Sequence, residues 1–396
     1  MRILVVSQYY WPEQFQINEI APELVRRGHD VTVVCGLPNY PKGVVYEGFE
    51  DSYKEPQVRD GVRIIRVNQK PRGKNVVSLI KNYSSFVKEA NRVLDSLNEN
   101  FDVVFGYQLS PVSSMLPAVK FAKRKGIPLL LYVLDIWPVS AESHLPLKRG
   151  LVYRWIKGLS KRVYRNANRI LVTSRPFIDY LERVNGVARD RMGYLPQHAD
   201  SSMLGMDLHK KSDGVTNFMF AGNLGAGATL EVIVKAAAIL GPRNDYKVHF
   251  VGDGSCRRML EEMVKEAGLE RNFVFHGNQG REGMPDFYRL ADALLLTLRG
   301  NNEVGDTMPG KLQMYMTTGK PVLGAINGAA REVIEESGCG RCVPAGDASG
   351  LANLMKDFME HQERYALGGE KGRDFFKRNF TLDIFIDNLE KELSLK

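Results

Sequence analysis

This chain of 396 residues has few cysteines, few tryptophans and no long apolar run. Its four cysteines are too few for a disulfide scaffold. Cys35 and Cys256 stand apart, and Cys339-Gly-Arg-Cys342 has a CxxC spacing without the second pair or nearby histidines that a zinc site needs. Reduced, mostly buried thiols fit a cytoplasmic protein. No apolar stretch reaches the roughly 18–20 residues that cross a bilayer. The opening MRILVVSQYYWPE lacks the longer apolar region of a secretory signal, so Arg2 to Val6 reads as a first core strand. Low-complexity segments and short repeats are absent. No Asp-x-Asp falls in a plausible loop, and no metal is expected.

What is there is the pattern of a soluble α/β protein, with 44% hydrophobic and 25% charged residues. Apolar runs at 3–6, 31–34, 102–106, 129–134, 170–173 and 192–195 alternate with amphipathic stretches. The alternation resumes at 218–222, 246–252, 272–276, 293–298 and 322–325 after a polar break at 201–213. Ile17, Ile20, Ala21, Leu24 and Val25 follow helical spacing, and Gly28 stops that helix. Strand–helix alternation gives parallel sheets covered on both faces. The expectation is two doubly wound, Rossmann-like domains facing across a cleft, 1–198 and 199–378. A tail at 379–396, with Leu382, Phe385, Ile386 and Leu389 on one helical face, is expected to cross back to the first domain.

Three segments of the second half carry chemistry: Phe218 to Gly227, Val251-Gly252-Asp253-Gly254, and Pro309-Gly310-Lys311. Glycines after strands let a diphosphate approach the backbone, and helix N-termini offer free N–H groups and a positive dipole end. Lysine at a helix start opposes the macrodipole, so Lys311 calls for an anionic partner. Their place in the second half argues against a simple N-terminal dinucleotide-binding enzyme. Asp253 is equally readable as the cap of a tight turn. Asp135, just past the apolar run 129–134, either points into the cleft or caps a helix.

The opening QYYWPEQFQINEIAPELVRRGHDVTVVCGLPNYPKG, the segment LDIWPVS and the run TMPGKLQMYMTTGKPVLGAING, in that order, resemble retaining glycosyltransferases of the GT-B fold, family 4. The likeness spans the whole chain and is nearest to the WbuB-like and colanic-acid-type enzymes of bacterial surface polysaccharide assembly. It implies transfer of a sugar, an N-acetylated hexose or 6-deoxyhexose, from a UDP-sugar to a polyprenyl-pyrophosphate-linked glycan, with no cofactor beyond that cosubstrate. Under it, Asp135, Lys311 and Asp306 form the reaction centre. Gly222, Asn223, Gly225, Gly252, Asp253, His276, Arg299, Thr307, Met308, Pro309 and Gly310 hold the donor. Glu13, Asn18 and Trp137 face the acceptor. Relatives often carry a histidine where Leu134 stands, a basic residue near Ala226-Gly227-Ala228, and a second acid at Met314. Those contacts do not carry over, and the charge falls to Lys311 and Arg299.

Net charge is +8, and it is uneven: residues 1–200 hold 30 Lys+Arg against 19 Asp+Glu, residues 201–396 hold 24 against 27. Lys148 to Arg165 has seven basic residues and no acid, with Leu151, Val152, Trp155, Ile156 and Leu159 at helical spacing. Lys70 to Lys81 is a second basic stretch with Val76, Val77, Leu79 and Ile80. Such segments suit peripheral contact with the anionic cytoplasmic face of the inner membrane, or core-facing helices with a solvated basic side. Two rival functions stay open: an epimerase of free nucleotide sugars with the same fold, and a basic nucleic-acid-binding protein, although no recognised binding module is present and nucleic acid is not the expected partner.

Overall fold

The computed structural model describes the chain except residues 74, 143–149, 210–213, 301–307 and 395–396. The expected site residues Asp306 and Thr307, and Lys148 and Arg149 of the basic stretch, lie outside the described residues.

The chain divides into two compact units: Met1–Pro196 with Leu382–Lys396, and Gln197–Thr381. The first is built on eight strands, β1 (Arg2–Val6), β2 (Asp30–Gly36), β3 (Gln57–Arg59), β4 (Val62–Val67), β5 (Val103–Gln108), β6 (Leu129–Val133), β7 (Arg169–Val172) and β8 (Met192–Tyr194). Their order across the sheet is β3-β4-β2-β1-β5-β6-β7-β8. Only the β3–β4 pair is antiparallel. The strand order reverses direction between β1 and β5. That is the point where an open parallel sheet leaves a crevice at its carboxyl edge.

The central strands are continuous apolar runs because both of their faces are covered. One face packs Leu4, Val104 and Leu131 against Phe86, Met115 and Tyr164. The other packs Ile3, Val5 and Phe105 against Ile17, Ile20 and Leu24 of helix Ile17–Arg26. Helix Val76–Ser96 starts at a capping box, with the Asn75 side chain accepting from the Ser78 N–H and the Ser78 hydroxyl accepting from the Asn75 N–H.

Helix Leu382–Leu393 belongs to this first unit. Phe385, Ile386, Leu389 and Leu393 are buried in the same layer as helix Ile17–Arg26. Its polar side is tied by Arg27 to Asp387 and Glu390, by His29 to Glu390 at 2.8 Å, and by Arg169 to Glu392 at 2.6 Å.

The second unit carries β9 (Thr216–Ala221), β10 (Tyr246–Val251), β11 (Phe273–Gly277), β12 (Ala293–Thr297), β13 (Val322–Ala325) and β14 (Gly340–Val343). They form an all-parallel sheet ordered β11-β10-β9-β12-β13-β14. Its reversal falls between β9 and β12. Apolar layers cover both faces.

Some details depart from the sequence expectations. β3 and β4 were not anticipated, nor was β14, in which Cys342 sits; Cys339 and Cys342 are free thiols. Residues 379–381, expected in the tail, lie in the second unit, where Phe380 is in the core and its carbonyl accepts from the Ala199 N–H. Residues 197 and 198 lie there too, and the Gln197 carbonyl accepts from the Gln313 amide.

Candidate active site

In the second unit the three glycine-bearing segments meet at the carboxyl edge of the sheet. β9 ends at Ala221, whose N–H donates to the Tyr315 hydroxyl at 2.9 Å. Gly222 follows with φ 141°, and its N–H donates to the Val251 carbonyl. Gly252, after β10, has φ 133°. Any side chain at Gly252 would strike the Gly222 carbonyl, 2.0 Å from an ideal Cβ. At Gly222 a Cβ would lie 2.7 Å from Lys311 Cε and 2.9 Å from Nζ. The two glycines keep this corner free of side chains apart from the lysine, so backbone and ammonium can both approach a ligand.

Lys311 is the second residue of helix Gly310–Thr318, after Pro309 at the N-cap. Its Nζ stands 3.5 Å from the centroid of the Phe220 ring. Burial pushes its pKa down to about 7. The aromatic face compensates part of the desolvation. Among the described residues no carboxylate pairs with it. A half-buried cation at a helix start, with no counter-charge among the described residues, is prepared for an anion.

A cavity of about 300 Å³ opens beside this corner, lined by Gly222, Asn223, Gly252, Asp253, Asn278, Gln279, Met284 and Tyr288 among others. Loop amides and carboxamides give it a polar side; Met284 and Tyr288 give it an apolar one. That is the mixed lining of a small-ligand site.

The remaining expected donor-side residues fall around this corner in different roles. Asn223 is exposed, with its carboxamide beside Gly225 and Gly254. Asp253 accepts from the Gly254 N–H and pairs with Arg257 at 3.2 Å, which supports the tight-turn reading of its side chain. The Arg299 N–H donates to the Gly227 carbonyl, which places this exposed arginine at the loop that lacks its own charge. His276 stacks on His249 with ring centroids 5.2 Å apart and a ring-nitrogen contact of 2.9 Å; burial lowers its pKa. Its carbonyl accepts from the Gln279 amide, so His276 supports the cavity wall from behind. Met308 packs into the apolar layer under helix Gly310–Thr318. Phe220, Asn278, Gln279, Met284 and Tyr288 were missed in the sequence; only Gly277 at the end of β11 hinted at a loop there.

In the first unit the acceptor-side residues also cluster at a carboxyl edge. Asp135 lies two residues past β6. Its Oδ2 accepts from the Ser110 N–H at 3.2 Å, and its carbonyl accepts from the Gln108 amide at 2.7 Å. It therefore bridges the ends of β5 and β6, and among the described residues it makes no bond to a helix N-terminus. The Trp137 indole N–H donates to the Ser110 hydroxyl at 3.2 Å, and the ring packs on the core. Asn18, at the start of helix Ile17–Arg26, donates to the Glu13 carbonyl at 2.6 Å. Glu13 is only 1% exposed. Its Oε1 accepts from the N–H groups of Asn39 and Tyr40, at 2.8 and 2.7 Å. Burial raises its pKa to about 7 despite these bonds. Glu13 thus holds the loop after β2 from beneath and offers no open surface to a substrate.

Two family models cover the chain in succession: "Glycosyl transferase 4-like domain" over residues 14–198 and "Glycosyl transferases group 1" over residues 208–375. The chain belongs to the family-4-type glycosyltransferases of the GT-B fold. Its first half is the 4-like domain, and its second half, which carries the Lys311 corner, is the group 1 domain. A relative from Escherichia coli strain K12, WcaI, whose name assigns it provisionally to colanic acid biosynthesis as a glycosyl transferase, is 24% identical over 81% of this chain and 82% of its own. Among solved structures, Anabaena Alr3699/HepE in complex with UDP superposes with a TM-score of 0.69 at 14% identity, covering 99% of each chain. WaaG, a glycosyltransferase involved in lipopolysaccharide biosynthesis, superposes with a TM-score of 0.66 at 14% identity over 100% of each chain. These structural likenesses confirm the fold.

Proposed function

We propose that this glycosyltransferase moves a sugar from a UDP-sugar to a lipid-linked glycan in the assembly of a surface polysaccharide, with retention at the anomeric carbon. One observation carries the donor side: the Lys311 ammonium, without a described carboxylate partner, over Phe220 and against the Gly222–Gly252 corner at the reversal of the second sheet. HepE, similar in fold, was solved with UDP, and the names of WcaI and WaaG point to surface glycans.

In this reading the diphosphate lies at the Lys311 corner and the base extends toward Met284 and Tyr288. The bond between the anomeric carbon and the diphosphate oxygen breaks, and the leaving charge falls on Lys311 and nearby backbone amides. Such preorganised donors commonly supply the largest part of the rate enhancement. The acceptor oxygen then bonds to the same face of the anomeric carbon, and its proton passes to the departing phosphate. Asp135 orients the acceptor hydroxyl or stabilises positive charge on the sugar. The scheme needs no metal. Asp306 and Thr307 would add sugar contacts from outside the described residues.

No described helix is long and apolar enough to span a membrane. The lipid-linked acceptor is instead met by a protein lying on the anionic face of the inner membrane. Helix Leu151–Arg165 supports this, because its first turns expose apolar residues among basic ones.

The test is UDP binding and transfer in Lys311→Ala. Loss of a charge-assisted contact to phosphate should weaken UDP at least about tenfold and abolish transfer, with the circular dichroism spectrum unchanged. Wild-type UDP affinity in the folded variant would refute the diphosphate role.

A further inference from the structure

We propose that Arg72 grips a phosphate carried by the acceptor, with the apolar part of the same molecule running onto Val76, Val77 and Ile80. The inference rests on the transferase reading above and specifies its acceptor side.

Arg72 lies between the end of β4 and helix Val76–Ser96, at the carboxyl edge of the first sheet. Its backbone is fixed, because its N–H donates to Asn39 Oδ1 at 2.9 Å and the Asn39 N–H is held by buried Glu13. Its guanidinium sits 5.3 Å from the centroid of the Tyr40 ring and beside the Tyr9 hydroxyl. Tyr9, Phe15 and Tyr40 make a closed aromatic triangle, with centroid separations of 5.4, 5.6 and 5.6 Å. The arginine therefore lies on an ordered aromatic platform before any ligand arrives.

Within this unit Arg63 pairs with the acid Glu99, Arg124 with Asp95 and Arg169 with Glu392, and buried Arg66 donates to the Trp11 carbonyl. Among the described residues Arg72 has no acid partner, although it is half-buried. A partly desolvated guanidinium fork without a carboxylate matches a phosphate, which it can meet with two parallel hydrogen bonds.

Its surroundings specify the rest of the ligand. Tyr83 lies close enough to both Arg72 and Asp135 to feel each charge. A phosphate at Arg72 would thus bring the first sugar toward Asp135. On the other side, the first turns of helix Val76–Ser96 expose Val76, Val77 and Ile80, with Lys81 exposed next to them. Apolar surface, anion grip and the Asp135 carboxylate follow the order of a lipid-phosphate-sugar.

The experiment uses the full-length protein saturated with UDP, so that the Lys311 corner is filled. Farnesyl pyrophosphate, farnesol and inorganic pyrophosphate are titrated in by calorimetry. Vesicles of phosphatidylcholine with and without phosphatidylglycerol are tested by sedimentation. Arg72→Ala should weaken farnesyl pyrophosphate at least about tenfold and leave UDP affinity unchanged. Arg72→Lys should fall between, since a point charge lacks the fork. Val77→Ser with Ile80→Ser should weaken farnesyl pyrophosphate and spare inorganic pyrophosphate. Wild-type binding of farnesyl pyrophosphate by folded Arg72→Ala overturns the proposal. So does loss of binding to phosphatidylglycerol vesicles alone, which would make Arg72 a headgroup contact. Melting curves report folding, and Arg72→Gln serves as a second variant. If wild-type protein failed to bind UDP, the donor reading would fall, while the Arg72 comparison repeated without UDP would still decide this one.

Discussion

At the residue scale, Lys311 makes the donor site sensitive to pH. Burial holds its pKa near 7 in the free protein, against an ordinary value of 10.5. Above that value the free enzyme is largely neutral at this position, and binding a diphosphate must restore the proton. UDP affinity should therefore fall as pH rises from about 7 to about 9, by up to about tenfold per unit until the pKa of the complex is reached. UDP is itself fully ionised over most of that interval, so the slope belongs to the protein. Calorimetry in two buffers of different ionisation enthalpy should show uptake of about one proton at about pH 8.5. Lys311→Arg, which stays charged, should bind with a flat profile and take up no proton. A flat wild-type profile would mean that the ammonium is already protonated and not strained by burial. The same depression has a consequence for folding. The unfolded chain binds the extra proton between about pH 7 and 10.5, so this residue costs stability in its charged form below 7 and the cost fades as pH rises to 10.5.

At the element scale, helix Leu151–Arg165 shows which half of an amphipathic pattern is in the core. The sequence offered one apolar stripe, and the structure splits it. Ile156, Val163 and Tyr164 are buried, whereas Leu151, Val152 and Trp155 are 82%, 56% and 69% exposed. Arg154, Lys157 and Lys161 flank the exposed group. An exposed tryptophan among cations is the composition of an interfacial helix. Replacing Leu151 and Trp155 by Ser should lower sedimentation with vesicles containing anionic lipid by about tenfold or more, from the apolar area withdrawn from the interface. UDP binding should be unchanged, because the helix lies in the first unit. Undiminished vesicle binding would reduce the patch to a solvated surface. Strands show the opposite limit of legibility. β1, β5, β6 and β9 were readable because burial on both faces leaves an unbroken apolar run. β4, Val-Arg-Ile-Ile-Arg-Val, was not, because it carries a buried arginine. Arg66 is 1% exposed and donates to the Trp11 carbonyl at 2.7 Å. The signal available was Asp60-Gly61, both at positive φ, the two-residue turn that joins β3 to β4.

At the scale of the whole molecule, the glycine corners were legible because a side-chain-free strand end leaves a sequence mark. The Lys311–Phe220 contact and the Arg72–Tyr40 contact were not, because each joins residues that only the sheet order brings together. The tail is the clearest case of a distant segment completing a unit. Helix Leu382–Leu393 closes the layer over β1, β5 and β6, with Phe385 edge-on to Tyr132 at 5.5 Å and an interplanar angle of 66°. The second unit, by contrast, is one continuous stretch, Gln197–Thr381. Phe385→Ala should therefore cost the first unit about 3–5 kcal/mol, the range for emptying a buried aromatic site. Hydrogen exchange at the amides of β1, β5 and β6 should quicken by the corresponding factor, because their protection comes from opening of that unit. Exchange at β9 and β10, and UDP affinity, should stay at wild-type values. Equal acceleration in both sheets would mean that the tail stabilises the chain as a single cooperative body, and its assignment to the first unit would hold for geometry but not for energetics.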